Sequence, residues 1–91
     1  MVQKNELYEN VFIDPSGKSF KQKISNCIYE LILGKTIKEI SYELGLSHRT
    51  VEEYINYLKR IFNCTSKSQI ISRIVKDERN KDNVIVFFQK L

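Results

Sequence analysis

Ile37-Lys38-Glu39-Ile40-Ser41-Tyr42-Glu43-Leu44-Gly45-Leu46-Ser47-His48-Arg49-Thr50-Val51-Glu52-Glu53-Tyr54-Ile55-Asn56 is the stretch on which the fold turns. Ile37, Ile40 and Leu44 recur at three- and four-residue steps, the period of one helix face, and Gly45 stops the run. A second helical period runs through Val51, Ile55, Leu58 and Phe62, with Tyr54 and Ile61 alongside. Between the two, Ser41 is small enough for a close crossing, Gly45 tolerates positive φ, Leu46 plugs the angle and Ser47 starts the second helix. Two helices meeting at about 90–120° across so short a turn make a helix-turn-helix.

Outward from this pair, Phe20, Ile24, Cys27, Ile28, Leu31 and Ile32 keep a helical period until Gly34, and Ile70, Ile71, Ile74 and Val75 begin another. Ser19-x-x-Gln22, Thr36-x-x-Glu39 and Ser66-x-x-Gln69 each fit the reciprocal capping box. The expectation is an all-α fold of four helices, at about 20–33, 37–44, 48–62 and 67–79. Residues 1–17 read as an extension in which Val11-Phe12-Ile13 is extended and Asp14-Pro15-Ser16-Gly17 closes a type I turn. The tail, residues 80–91, contains the continuous apolar run Val84-Ile85-Val86-Phe87-Phe88, for which periodicity allows strand or helix; a short strand beside residues 10–13 is the weakly favoured choice. Residues 18–79 are thus the expected domain.

Ninety-one residues with 42% hydrophobic content support one small core, which argues against an elaborate enzyme. Fifteen Lys and Arg against 11 Asp and Glu give a net charge of +4, a bias toward polyanions. Cys27 and Cys64 lack the neighbours a zinc site needs and read as reduced core thiols. His48 is the sole histidine, so neither a nucleophile–base pair nor a cofactor or metal site is visible. No apolar run approaches the roughly 18–20 residues of a membrane span and no signal pattern opens the chain, so the expectation is a cytoplasmic protein without a membrane partner.

Three linked blocks resemble the LuxR-type (NarL/FixJ-like) DNA-binding domain of bacterial transcription regulators. Gly34-Lys35-Thr36-Ile37-Lys38-Glu39-Ile40 is similar to that family's G-x-[ST]-x-K-E-I, and Leu44-Gly45-Leu46-Ser47-His48-Arg49-Thr50-Val51-Glu52 to its L-x-[IL]-S-x-x-T-V-[KE]. Lys59-Arg60-Ile61-Phe62-Asn63-Cys64-Thr65-Ser66-Lys67 resembles the lead into its fourth helix. The resemblance implies a four-helix unit whose third helix enters the major groove and whose fourth often mediates dimerisation. Phe20-Lys21-Gln22-Lys23-Ile24-Ser25-Asn26 departs from the family's acidic opening of helix one, so internal ion pairing must differ. Both a stand-alone regulator and the output domain of a longer one fit the sequence.

At about 100° per residue, the third helix buries Val51, Ile55, Leu58 and Phe62 and turns Arg49, Glu53, Asn56 and Arg60 to the other side, with Glu52 and Lys59 flanking. Arg49, Glu52, Glu53 and Asn56 are therefore the candidate base readers, with Arg suited to guanine, Asn to adenine and Glu to the cytosine amino group. For the glutamates an equal alternative is local: complementing the helix dipole, with Glu53 paired to Arg49. Phosphate contacts are expected from Lys35, Lys38, His48, Thr50, Lys59, Arg60 and Lys67. On the fourth helix Ile70, Ile71, Ile74 and Val75 span an apolar arc of about 140°. A homodimer through Ile71 and Val75 would cover the part that the core cannot, and so would the tail folding back. The expected function is sequence-specific transcription regulation on double-stranded DNA; the alternative is a protein-interaction module that has recruited the helix-turn-helix without binding DNA.

Overall fold

The computed structural model describes residues 7–91; residues 1–6 of the expected extension lie outside the described residues. Five helices follow in order: α1 Gln22–Ile32, α2 Ile37–Leu44, α3 His48–Ile61, α4 Lys67–Lys76 and α5 Glu78–Lys90. The all-α expectation holds, and among the described residues the only β pairing is an isolated antiparallel bridge between Ile13 and Ser19.

That bridge explains why the first helix starts later than its sequence suggests. The turn forms as expected, with Gly17 N–H donating to Asp14 O (3.0 Å) and Gly17 at φ +91°. Ser19 is then held in extended backbone opposite Ile13, so it does not cap α1, whose N-cap is Lys21 without a side-chain bond. Gln22, the expected partner in that capping box, instead donates its amide to Tyr8 O and Asn26 Oδ1.

The other two capping boxes close as expected. Glu39 N–H donates to Thr36 Oγ1 and Thr36 N–H to Glu39 Oε1, while Gln69 and Ser66 exchange the same pair of bonds. Each satisfies backbone donors that a helix start otherwise leaves unpaired. Ser47 caps α3 by accepting from Thr50 N–H at 3.1 Å.

The tail corrects the sequence reading in two ways. The fourth helix ends at Lys76 and not at 79, because Asp77 leaves helical geometry and caps α5 by accepting from Arg79 N–H at 2.9 Å. Val84–Phe88 belongs to helix α5, not to a strand. The physical reason lies in two asparagines. Asn80, 1% exposed, accepts from Ile13 N–H (2.8 Å) and donates to Ile13 O (3.0 Å), occupying the backbone groups a strand would have used. Asn83 donates to Val11 O (3.4 Å) one turn later, so the extended segment is paired with side chains of a helix.

The core joins these parts around Tyr29 of α1. Its ring lies 4.6 Å from Phe12, 4.6 Å from Phe87 and 5.3 Å from Tyr8, centroid to centroid. Its hydroxyl reaches both Asn10 O (2.6 Å) and Asn83 Oδ1 (2.8 Å). The layer formed by residues 8–13 and α5 thus covers one side of α1, and α5 also packs along α4. Ile40, Val51, Leu58, Ile70 and Ile74, all 0% exposed, fill the centre under α2, α3 and α4.

Candidate nucleic-acid interface

Gly45 sits at φ +65°, ψ 34° between α2 and α3, and Leu46 N–H donates to Ser41 O at 3.0 Å. Ser41, 6% exposed, turns its hydroxyl back to Ile37 O at 2.8 Å, so the crossing meets no free polar group. The turn therefore fixes the direction of α3 through backbone geometry, with Val51, Ile55 and Leu58 anchoring its inner face.

The outer face of α3 is free. Arg49, Glu52, Glu53, Asn56 and Arg60 are exposed and share an arc of about 100° along the helix. Arg49 Nε donates to Glu53 Oε1 at 3.3 Å, the local pairing that the i, i+4 spacing allows. Both side chains are well exposed, at 90% and 65%, so the pair is weak enough to exchange for a ligand. Glu52, Asn56 and Arg60 have no side-chain partner among the described residues.

Around this face the expected phosphate contacts divide. Lys38, His48 and Arg60 are exposed, and Lys59 and Lys67 are partly so. Thr50 Oγ1 accepts a bond from the Ser47 hydroxyl at 2.9 Å and belongs to the start of α3. Lys35 is engaged elsewhere: its Nζ donates to Glu30 Oε1 at 2.9 Å and lies 3.9 Å from Glu43 Oε1. The hydrogen bond to Glu30 holds its ammonium pKa above the usual lysine value.

Glu30, 1% exposed, also accepts from the Tyr8 hydroxyl at 2.6 Å. Burial first, and this carboxylate second, push the Tyr8 phenol well above its ordinary range. Cys27 beside them is pushed up to about 12 by burial, with Glu30 adding to it, which makes it an inert thiol. Glu30 is thus a buried carboxylate held by one ammonium and one phenol. The sequence carried one signal for it, since Glu30 follows Cys27 by three residues on the edge of an apolar face.

Ile71 is half-buried within the chain, where α5 lies along α4, and Val75 remains 36% exposed. No helix among the described residues is long and apolar enough to cross a membrane.

This geometry, two helices set by a left-handed glycine with the second presenting a polar face, is that of a helix-turn-helix domain. The family model for bacterial regulatory proteins, luxR family, matches residues 23–74, more than half of the chain. The chain belongs to that family, which makes it a DNA-binding transcription regulator in general class. No curated protein and no solved structure matches it.

Proposed function

We propose that the protein regulates transcription by reading a specific DNA sequence with α3 in the major groove. The observation that supports this best is the exposed polar arc of α3, backed by a helix face seated in the core. Arg49, Glu52, Glu53 and Asn56 read base edges, and Arg49 exchanges Glu53 for guanine on binding. Lys38, His48, Thr50, Lys59, Arg60 and Lys67 take the phosphates. Lys35 stays in that set, sharing its ammonium between Glu30 and the phosphate. Residues 18–79 carry the DNA contacts, and the described part of 1–17 together with 80–91 braces them.

The experiment is an electrophoretic shift assay on selected and random duplexes at low salt. Selective retardation supports the reading; no retardation of any duplex leaves the protein-interaction module as the function.

We further propose a homodimer that places two α3 helices on half-sites about one DNA turn apart, with Ile71 and Val75 at its contact. Exposed Val75 supports this, while Ile71 is in part packed against the core of its own chain. Light scattering on the protein and on Ile71→Glu/Val75→Glu tests it: a monomeric wild type at high concentration discards the dimer.

A further inference from the structure

An open groove of about 870 Å³ lies between the N-terminal turn and the flank of α3, outside the arc assigned to DNA. Its floor is Phe20, Ile24, Tyr54 and Tyr57, and its rim carries Lys18, Lys21 and Lys23. All three lysines are exposed, and none forms an ion pair with a described residue. The one carboxylate on the lining, Asp14, is already occupied: its Oδ1 accepts from Ser16 N–H, Ser16 Oγ–H and Lys18 N–H within 3.0 Å. The hydroxyls of Tyr54 and Tyr57 have no partner among the described residues. The groove therefore joins an apolar floor, two unpaired phenols and a net positive rim, in which Asp14 offsets part of the charge of Lys18 while Lys21 and Lys23 remain.

We propose that this groove docks an acidic segment of a partner protein, one that presents aromatic or leucine side chains between Asp and Glu residues. Charge complementarity selects the occupant: carboxylates meet Lys18, Lys21, Lys23 and the two phenols, while the apolar side chains bury against Phe20 and Ile24. Tyrosines over an apolar centre with a polar rim are the composition of protein recognition surfaces. Phosphate contacts need donors but no apolar floor, so DNA leaves half of the groove unexplained. Relative to Arg49, Tyr57 and Tyr54 lie about 80° and 140° around α3, so the groove opens sideways from the reading face. The observations behind this surface are separate from those behind the reading of DNA by Asn56, so either can fail without the other.

The test is a titration of the full chain, followed by amide NMR shifts, with a pool of short peptides containing Asp, Glu, Phe and Leu. The same pool with Gln and Asn in place of the acids is the control. Saturable shifts at residues 18–24 and at Tyr54 and Tyr57 are expected. Affinity should fall about tenfold or more with the neutral pool, and equally in Lys18→Gln/Lys21→Gln/Lys23→Gln, whose fold is checked by circular dichroism. Absence of saturable shifts, or equal binding of both pools, overturns the proposal. So does a duplex titration that moves the same residues while the triple variant lowers the salt slope by about 3, because the lysines are then phosphate contacts.

Discussion

The Nζ of Lys35 lies 2.9 Å from Oε1 of Glu30, whose side chain is only 2% exposed. The pair ties the turn after α1 to the core and, through Tyr8, to the N-terminal segment. Removing the ammonium leaves a buried carboxylate short of a donor, and this decides the sign of the effect. Lys35→Met is expected to cost about 2–3 kcal/mol in urea unfolding. Adding Glu30→Leu and Tyr8→Phe should recover most of that loss, because no buried charge or phenol then remains unpaired. A single variant as stable as wild type would show that Lys35 is dispensable to Glu30.

Asn56 offers the cleanest test of base reading, since its amide is exposed and touches nothing in the core. Asn56→Ala is expected to reduce discrimination between selected and random duplexes by about 1–3 kcal/mol with an unchanged melting temperature. Equal loss on both kinds of duplex would remove it from the readers.

Gly45 holds φ +65°, and apart from its chain neighbours no described residue comes within 4 Å of the place a Cβ would take. The cost of substitution there is backbone strain alone. Gly45→Val should destabilise by about 1–3 kcal/mol in thermal or urea unfolding, and Gly45→Asn by less, because asparagine tolerates this conformation.

Asn80→Ala deprives Ile13 of both its partners. A loss of about 2–3 kcal/mol is expected, together with faster exchange of the Ile13 amide proton. An unaffected Ile13 amide would show that water replaces the asparagine.

Hydrogen bonds also set the response to acid. The Ser16 hydroxyl holds the Asp14 carboxyl, and Arg79 holds that of Asp77, below the ordinary value of 3.8. The unfolded chain takes up these protons first, so the stabilisation is full above 3.8 and is lost as pH falls through the lower folded values. Urea midpoints followed down through this range should drop. Asp14→Asn/Asp77→Asn should start lower and fall less steeply. At the basic end, Lys35 contributes until pH rises past 10.5, since its folded pKa lies higher.

The helix-turn-helix is legible in the sequence because Gly45, Ser41 and the apolar period of α3 each have one structural use. The exposed arc of α3 follows from the same period. The tail is not legible in this way. Positions 80, 83, 84 and 87 make a helical face, but two of them are asparagines, whose inward role shows only once residues 10–13 are in place. Lys35 is a similar case: from spacing alone it is one more cation near the reading helix, and only the burial of Glu30 reveals the ion pair it forms.

The clasp between Asn80 and Ile13 joins groups 67 positions apart, and Lys90 with Glu9 joins groups 81 apart. Helices α2 and α3 are neighbours in sequence and α1 reaches α4 across about 40 positions, whereas the clasp must wait for most of the chain to close on itself. Folding should then show an early step that builds the helix-turn-helix and a later one that seats α5. In the native state the same layer is expected to open before the helix-turn-helix, which faster amide exchange at Ile13 and along α5 than along α3 would check.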